Sequence, residues 1–287
     1  MISLHLRILT AFFLFIVFPN VIFPLTVNFA VPACGEGLDK LRTWDPLRKY
    51  LEDNIDLDIN LIITRDHSII RDQLENKNYD FAVIDSFWIE HWEKREICSP
   101  FLELRKSNCN INQSILIVHK NSIFRSPEDL KNSSLALTLP GDSSIGFYIP
   151  MAMMLQIGID PFSYFKEIVF PETFESILKA IAYGKLDSGF ISSDFLTNPE
   201  NQQYADDVRV LMESEPLETT YIVVRKDFNE KLLIEIKGLM TNLGNSAEGQ
   251  NFLNTIDLTG FGEPENLDSH QTREYLNILE LKNASPE

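Results

Sequence analysis

Two successive strand–helix–strand–helix–strand patterns, joined without a Gly/Ser-rich or low-complexity linker, constrain this chain more than any other feature of its sequence. In the first, residues 25–31, 57–64 and 81–84 read as strands. Between them, Asp45-Pro46 has the form of an N-cap followed by proline at the first helical position, with Leu47, Tyr50 and Leu51 at helical spacing, and 67–74 is helix-like. In the second, 114–119, 135–139, 168–170 and 188–191 are strands. An apolar helix covers 148–156, and Phe174, Ile177, Leu178 and Ile181 mark another that Gly184 ends. Strands at 208–213 and 220–224 and helices at 232–243 and 272–282 complete the chain. Such alternation predicts an α/β protein of two lobes, each a mostly parallel sheet flanked by helices, with two crossing strands as hinge and a ligand cleft between. With crossings near 114–120 and 216–225, lobe 1 takes 25–119 and 216–265, lobe 2 takes 120–215, and 266–287 forms a C-terminal helix and tail.

Charge narrows the partners. Forty-two acidic against 25 basic residues give a net charge of −17, which argues against nucleic acid, because phosphate contacts need a clustered basic face. It does not exclude a small anion, since backbone N–H groups at a helix start bind anions without net positive charge. Twenty Phe among 287 residues rule out a disordered acidic chain.

Residues 1–24 carry Arg7 followed by an uncharged apolar run over 8–18, too short for a span of about 20 residues and interrupted by Pro19 and Pro24. This reads as a secretory signal peptide or an N-terminal anchor, and export is the expectation. Val31-Pro32-Ala33-Cys34 faintly resembles a lipoprotein site, but cutting there would delete the first strand. Of the three cysteines, Cys98 and Cys109 are candidates for a disulfide around 100–108; the alternative is three unrelated buried thiols. The five histidines lack paired spacing, so no metal or cofactor is expected.

In open α/β sheets ligands sit beyond the carboxyl ends of strands. Residues 140–150, PGDSSIGFYIP, are the most informative such end: a strand stops, two hydroxyl residues follow, and Gly146 lets backbone approach a ligand before a helix begins. Hydroxyls and N–H groups at a positive helix end suit an oxyanion; the alternative is that Ser143 or Ser144 merely caps the helix. Other strand ends add His67, Asp85, Ser86, Trp88, Phe174 and Asp194. Trp88 and Trp92, four apart, read first as packing.

The chain resembles the phosphate/phosphite/phosphonate-type solute-binding proteins of bacterial ABC transporters over about 25–275. Pro46-Leu47 opening the first helix, Tyr79-Asp80-Phe81-Ala82-Val83-Ile84, Ser126-Pro127-Glu128-Asp129-Leu130-Lys131, the 143–150 stretch, Gly158-Ile159-Asp160-Pro161, Gly184-Lys185-Leu186-Asp187-Ser188-Gly189 and Val223-Val224-Arg225-Lys226-Asp227 fall in family order. The resemblance implies a type II periplasmic-binding fold that closes on a ligand and delivers it to a membrane permease. It places Ser143 and Ser144 on the first two positions of the family's Ser-Thr-Ser loop. Departures follow: Ile145 replaces the third hydroxyl, His67 a Tyr, Phe174 a His, and Asp85-Ser86-Phe87-Trp88 a Gly-Pro before Tyr. The expected ligand site is therefore His67, Ser86, Trp88, Ser143, Ser144, Ile145, Gly146, Phe174 and Asp194.

Asp85 and Glu175 add negative charge near the inferred cleft and disfavour a dianionic phosphate. The expectation is a monomeric, non-catalytic binding protein for a small anion or zwitterion, phosphonate-like or an organic acid, in the periplasm or otherwise outside the cytoplasm. Two alternatives stand beside it, a sensory module for a membrane receptor and a hydrolase; the latter lacks a G-x-S-x-G elbow and a recognisable base.

Overall fold

The computed structural model describes residues 25–32, 37–64, 67–106, 113–141, 143–216, 220–256, 258–264 and 270–284. The proposed export segment 1–24, Cys34 and Cys109 lie outside them. The described strands are β1 (Leu25–Pro32), β2 (Leu57–Thr64), β3 (Phe81–Asp85), β4 (Cys98–Lys106), β5 (Ser114–His119), β6 (Ser134–Ala136), β7 (Glu167–Val169), β8 (Ser188–Ser192), β9 (Val208–Glu213), β10 (Thr220–Arg225) and β11 (Leu258–Gly262). They form two sheets, ordered β11-β4-β10-β3-β1-β2 and β7-β6-β8-β5-β9. Strands β2, β1 and β3 run parallel, as do β7, β6 and β8. The remaining ladders are antiparallel. Each lobe is thus a mixed sheet with a parallel half.

Both faces of each sheet are covered, which is why its strands read as near-continuous apolar runs. Along the first sheet Val27, Phe29, Phe81, Val83, Ile222 and Val224 join one core cluster with Trp44, Leu47 and Leu51. Their neighbours Ala30, Ala82, Ile84, Tyr221 and Val223 face the other way, with Ile70, Leu74 and Trp92. In the second sheet Leu116, Val118, Leu135 and Phe190 face one cluster, and Ile115, Ile117, Ala136 and Ile191 the other. This is the two-residue period of a strand, with apolar side chains on both sides.

Several boundaries differ from the sequence reading. Among the described residues, strand β5 pairs with β8 and β9 of the second sheet. Helix α1 (Gly37–Asn54) contains Pro46 rather than starting at it. The buried Trp44 extends its apolar stripe to Leu47 and Leu51, and Asp45 accepts from Arg48 Nε at 2.7 Å and pairs with Lys49 at 2.8 Å instead of capping. The segment that follows Cys98, expected within a disulfide loop around 100–108, is β4, a nine-residue strand that advances about 26 Å. Pro100 sits where its pairing with β10 shifts register, the bulge position that tolerates a residue with no N–H. Cys98 is buried at the start of this strand.

Helices α2 (His67–Glu75) and α3 (Ser86–Lys94) start at the carboxyl ends of β2 and β3, and α4 (Ile149–Gln156) lies in the second lobe. Phe87 of α3 is 2% exposed and packs into the second lobe's core with Leu116, Ile149 and Tyr275. Tyr275 belongs to the C-terminal helix His270–Ala284, whose apolar side chains Leu276, Ile278 and Leu279 cover the same cluster. The two lobes therefore meet through apolar packing on one side of the site described next.

Candidate functional site

The turn after β6 is shaped by three small residues. Gly141 has φ +91°, a left-handed conformation open to glycine. Ser143, extended at φ −154°, accepts the Gly146 N–H on its Oγ at 3.1 Å and the Phe147 N–H on its carbonyl at 3.1 Å. Ser143 is therefore the cap. Residues Ser144–Tyr148 then form a π-helical turn leading into α4, a local widening that recurs at functional sites. Gly146 is required by close approach: a Cβ there would lie 2.3 Å from Thr138 Oγ1 and 3.0 Å from Phe174 Cε1. The Gly146 carbonyl also accepts the Thr138 N–H at 3.0 Å.

With Ser143 spent on the cap, Ser144 is released toward the other lobe. Its buried Oγ donates to Asp85 Oδ2 at 2.5 Å. Asp85 ends β3, paired with Thr220 of the returning strand. The same oxygen lies 3.8 Å from His67 Nε2. His67 opens α2, and both its backbone N–H and its Nδ1 approach the Gly141 carbonyl, at 3.0 and 2.9 Å. A carbonyl only accepts, so Nδ1 carries a proton. Trp88 stacks on His67 and on Trp92 and meets Tyr148 edge-on with centroids 4.8 Å apart. Three buried polar atoms here have no hydrogen-bond partner: Thr138 Oγ1 behind the turn and, on the first lobe, the acceptor Asp85 Oδ1 and the donor Trp88 Nε1. A polar ligand carrying both a donor and an acceptor would satisfy the latter two.

The other expected residues are placed more distantly. Ser86 is buried in the first turn of α3. The Ile145 side chain packs against the second lobe's core and its carbonyl accepts from Ser114 Oγ at 2.7 Å, so position 145 contributes backbone rather than a side-chain donor. Phe174 walls the turn beside Gly146 and packs on Phe195. Asp194 accepts from the Ser192 hydroxyl. Glu175, expected to charge the cleft, is exposed and ion-paired with Lys179 one helical turn on; it belongs to the surface of that helix. Sequence reasoning missed Thr138, did not single out Gly141 or Tyr148 within the 140–150 stretch, and read Asp85 as a repelling charge rather than a partner of Ser144. Thr138 and Tyr148 flank the Ser143–Ser144 motif, and nothing in their spacing marks them.

Asp80, which opens the family-like third strand, is structural. Its carboxylate accepts the Asn28 N–H at 2.8 Å and Arg225 Nε at 2.8 Å, tying β1, β3 and β10 together.

Residues 35–269 match the family described as the periplasmic substrate-binding protein of phosphonate ABC transporters. Among solved structures, XAC2383 from Xanthomonas citri bound to ATP is similar at 13% identity, with TM-score 0.74 over 91% of this chain and 99% of that one. PA3383 from Pseudomonas aeruginosa, a binding-protein component of an ABC phosphonate transporter, gives 17% identity and TM-score 0.72 over 90% and 86%. PhnD1 from Prochlorococcus marinus in complex with methylphosphonate gives 16% and 0.70 over 91% and 100%. At these identities the three structures speak to the fold, two α/β lobes of the type II periplasmic-binding kind.

Proposed function

The chain belongs to the periplasmic substrate-binding proteins of phosphonate-type ABC transporters, and on that premise we propose that it closes on a small organic anion or zwitterion held between Ser144 on one lobe and His67, Asp85 and Trp88 on the other. The observation that carries this is the Ser144 turn itself. It is a hydroxyl that reaches across the lobe interface to Asp85, on whose side Trp88, stacked on His67, carries an unpartnered indole N–H. The anionic group sits on the Ser144 hydroxyl and on the Ser144 and Ile145 N–H groups that open the π turn, the Gly146 N–H being held by the Ser143 cap. The rest of the ligand lies against Trp88 and Phe174, with Asp85 facing any cationic or N–H portion. Inorganic phosphate fits less well, because position 145 lacks a donor and Asp85 repels a second anion.

Binding is the whole task in this reading. Asp85 stands between Ser144 and His67, whereas a serine nucleophile needs its base next to the hydroxyl and the carboxylate beyond it. Residues 1–24 serve as the export signal or anchor, and the loaded protein, a monomer, delivers its ligand to a permease in the membrane.

A thermal-shift series with phosphate, phosphite, alkylphosphonates, aminophosphonates and carboxylates tests ligand class. The expected result is greatest stabilisation by an organic acid or zwitterion. Greatest stabilisation by inorganic phosphate would overturn it.

A further inference from the structure

We propose that Asp85 is an internal occupant of the anion site, a carboxylate that latches the lobes together and must be displaced or matched before an external anion can bind. This rests on reading Ser144 as the seat of that anion. The Ser144 hydroxyl donates to Asp85 Oδ2 at 2.5 Å across the lobe interface. A serine hydroxyl has one proton to donate, so Asp85 and an incoming anion compete for it directly.

The two ends of this bond are built into rigid parts of different lobes. Asp85 is the last residue of β3, in register with Thr220. Ser144 follows the capping residue Ser143 and precedes Gly146, which is seated against Thr138. The bond therefore reports, and favours, one relative position of the lobes. The second carboxylate oxygen is buried and unpartnered, and His67 Nε2 stands 3.8 Å from the first.

The consequence is a filter on ligands. A plain dianion meets an unscreened carboxylate a few Å away, a penalty on the order of tenfold or more in affinity. A ligand whose anion is accompanied by its own hydrogen-bond donor can occupy Ser144 and satisfy Asp85 at once. Asp85 thus sets specificity from the carboxyl end of β3.

Small-angle scattering of ligand-free protein and calorimetry with methylphosphonate and inorganic phosphate test this on the wild type, Asp85→Ala and Asp85→Asn. Asp85→Ala should show a larger radius of gyration than the wild type. Asp85→Asn should stay compact, because its amide oxygen still accepts from Ser144, and should bind methylphosphonate at least tenfold more tightly. Adding Ser144→Ala to Asp85→Asn should remove that gain. An unchanged radius in Asp85→Ala overturns the latch, and unchanged affinity in a binding-competent Asp85→Asn overturns the competition. If Asp85→Ala expands but no variant binds either anion, the latch stands and the Ser144 anion-seat reading fails.

Discussion

The imidazole of His67 lies against the indole of Trp88, ring centroids 5.6 Å apart and planes 28° from parallel, while its Nδ1 holds the Gly141 carbonyl of the other lobe. One side chain thus joins the stacked aromatic wall of lobe 1 to the turn that precedes Ser144. Its low exposure of 6% follows from that double contact.

Trp88→Phe separates these roles. Phe retains much of the stacked surface but removes the buried, unpartnered Nε1–H. Ligand-free thermal stability should therefore change little or rise, since a desolvated donor disappears. Affinity for an accepted ligand should fall by about 1–2 kcal/mol if that N–H meets the ligand. Calorimetry with equal affinities for both proteins would exclude the contact.

Ser143 and Ser144, adjacent in sequence, should behave oppositely. Ser143→Ala loses the N-cap to Gly146 and should lower unfolding free energy by about 1 kcal/mol. Ser144→Ala loses a charge-assisted hydroxyl and should cost about 1–3 kcal/mol of ligand affinity. Denaturation paired with calorimetry distinguishes them; a Ser144→Ala protein of unchanged affinity would remove Ser144 from the site.

Gly146→Ala should destabilise by about 1–3 kcal/mol, because the new methyl meets Thr138 Oγ1 and Cγ2 at 2.3 and 2.5 Å in a packed wall. Thr138→Ala deletes both of these atoms. The double variant should recover most of the loss, and chemical denaturation of the four proteins measures the coupling. Additive effects would mean that the turn relaxes elsewhere.

Asp80→Ala should lower stability by about 1–3 kcal/mol, leaving the Asn28 N–H without its acceptor and the Arg225 guanidinium with Asp227 alone, and should leave ligand affinity unchanged. Equal loss of binding would place Asp80 in the site after all.

The same network predicts an acid-side loss of stability. Lys77, with Arg225 assisting, holds the Asp227 carboxyl below its usual value. A carboxyl whose folded pKa is depressed stabilises the fold above its unfolded pKa, about 4, and loses that contribution as pH falls through the folded value. Lys77→Ala should flatten the decline in melting temperature below about pH 4; an unchanged slope would show that other carboxylates govern it.

Much of this was legible in the chain itself. Strands 57–64, 114–119 and 208–213 coincide with β2, β5 and β9: β5 is buried on both faces and reads as an unbroken apolar run, while the start of β2 alternates buried and exposed residues at the two-residue strand period. Strand β4 was hidden by Pro100, Glu103 and Arg105, which mark a turn in sequence but a bulged strand in space. Helix α3 was hidden by its direct continuation from β3 at Asp85-Ser86. Glu175 was misplaced because helix position alone does not tell which way a side chain leaves the cleft.

The sequence by itself determined the two α/β lobes, the strand ends that gather at their interface, and the Ser143–Gly146 turn, since each is encoded in residues a few positions apart. Tertiary structure alone decided which serine caps and which reaches across, that Ile145 turns into the core, and that Asp85 is the acceptor of Ser144. Those outcomes depend on the relative placement of lobes whose contacting residues are 59 positions apart. Hydrogen bonds act over about 3 Å, and local spacing carries no information about such a distance.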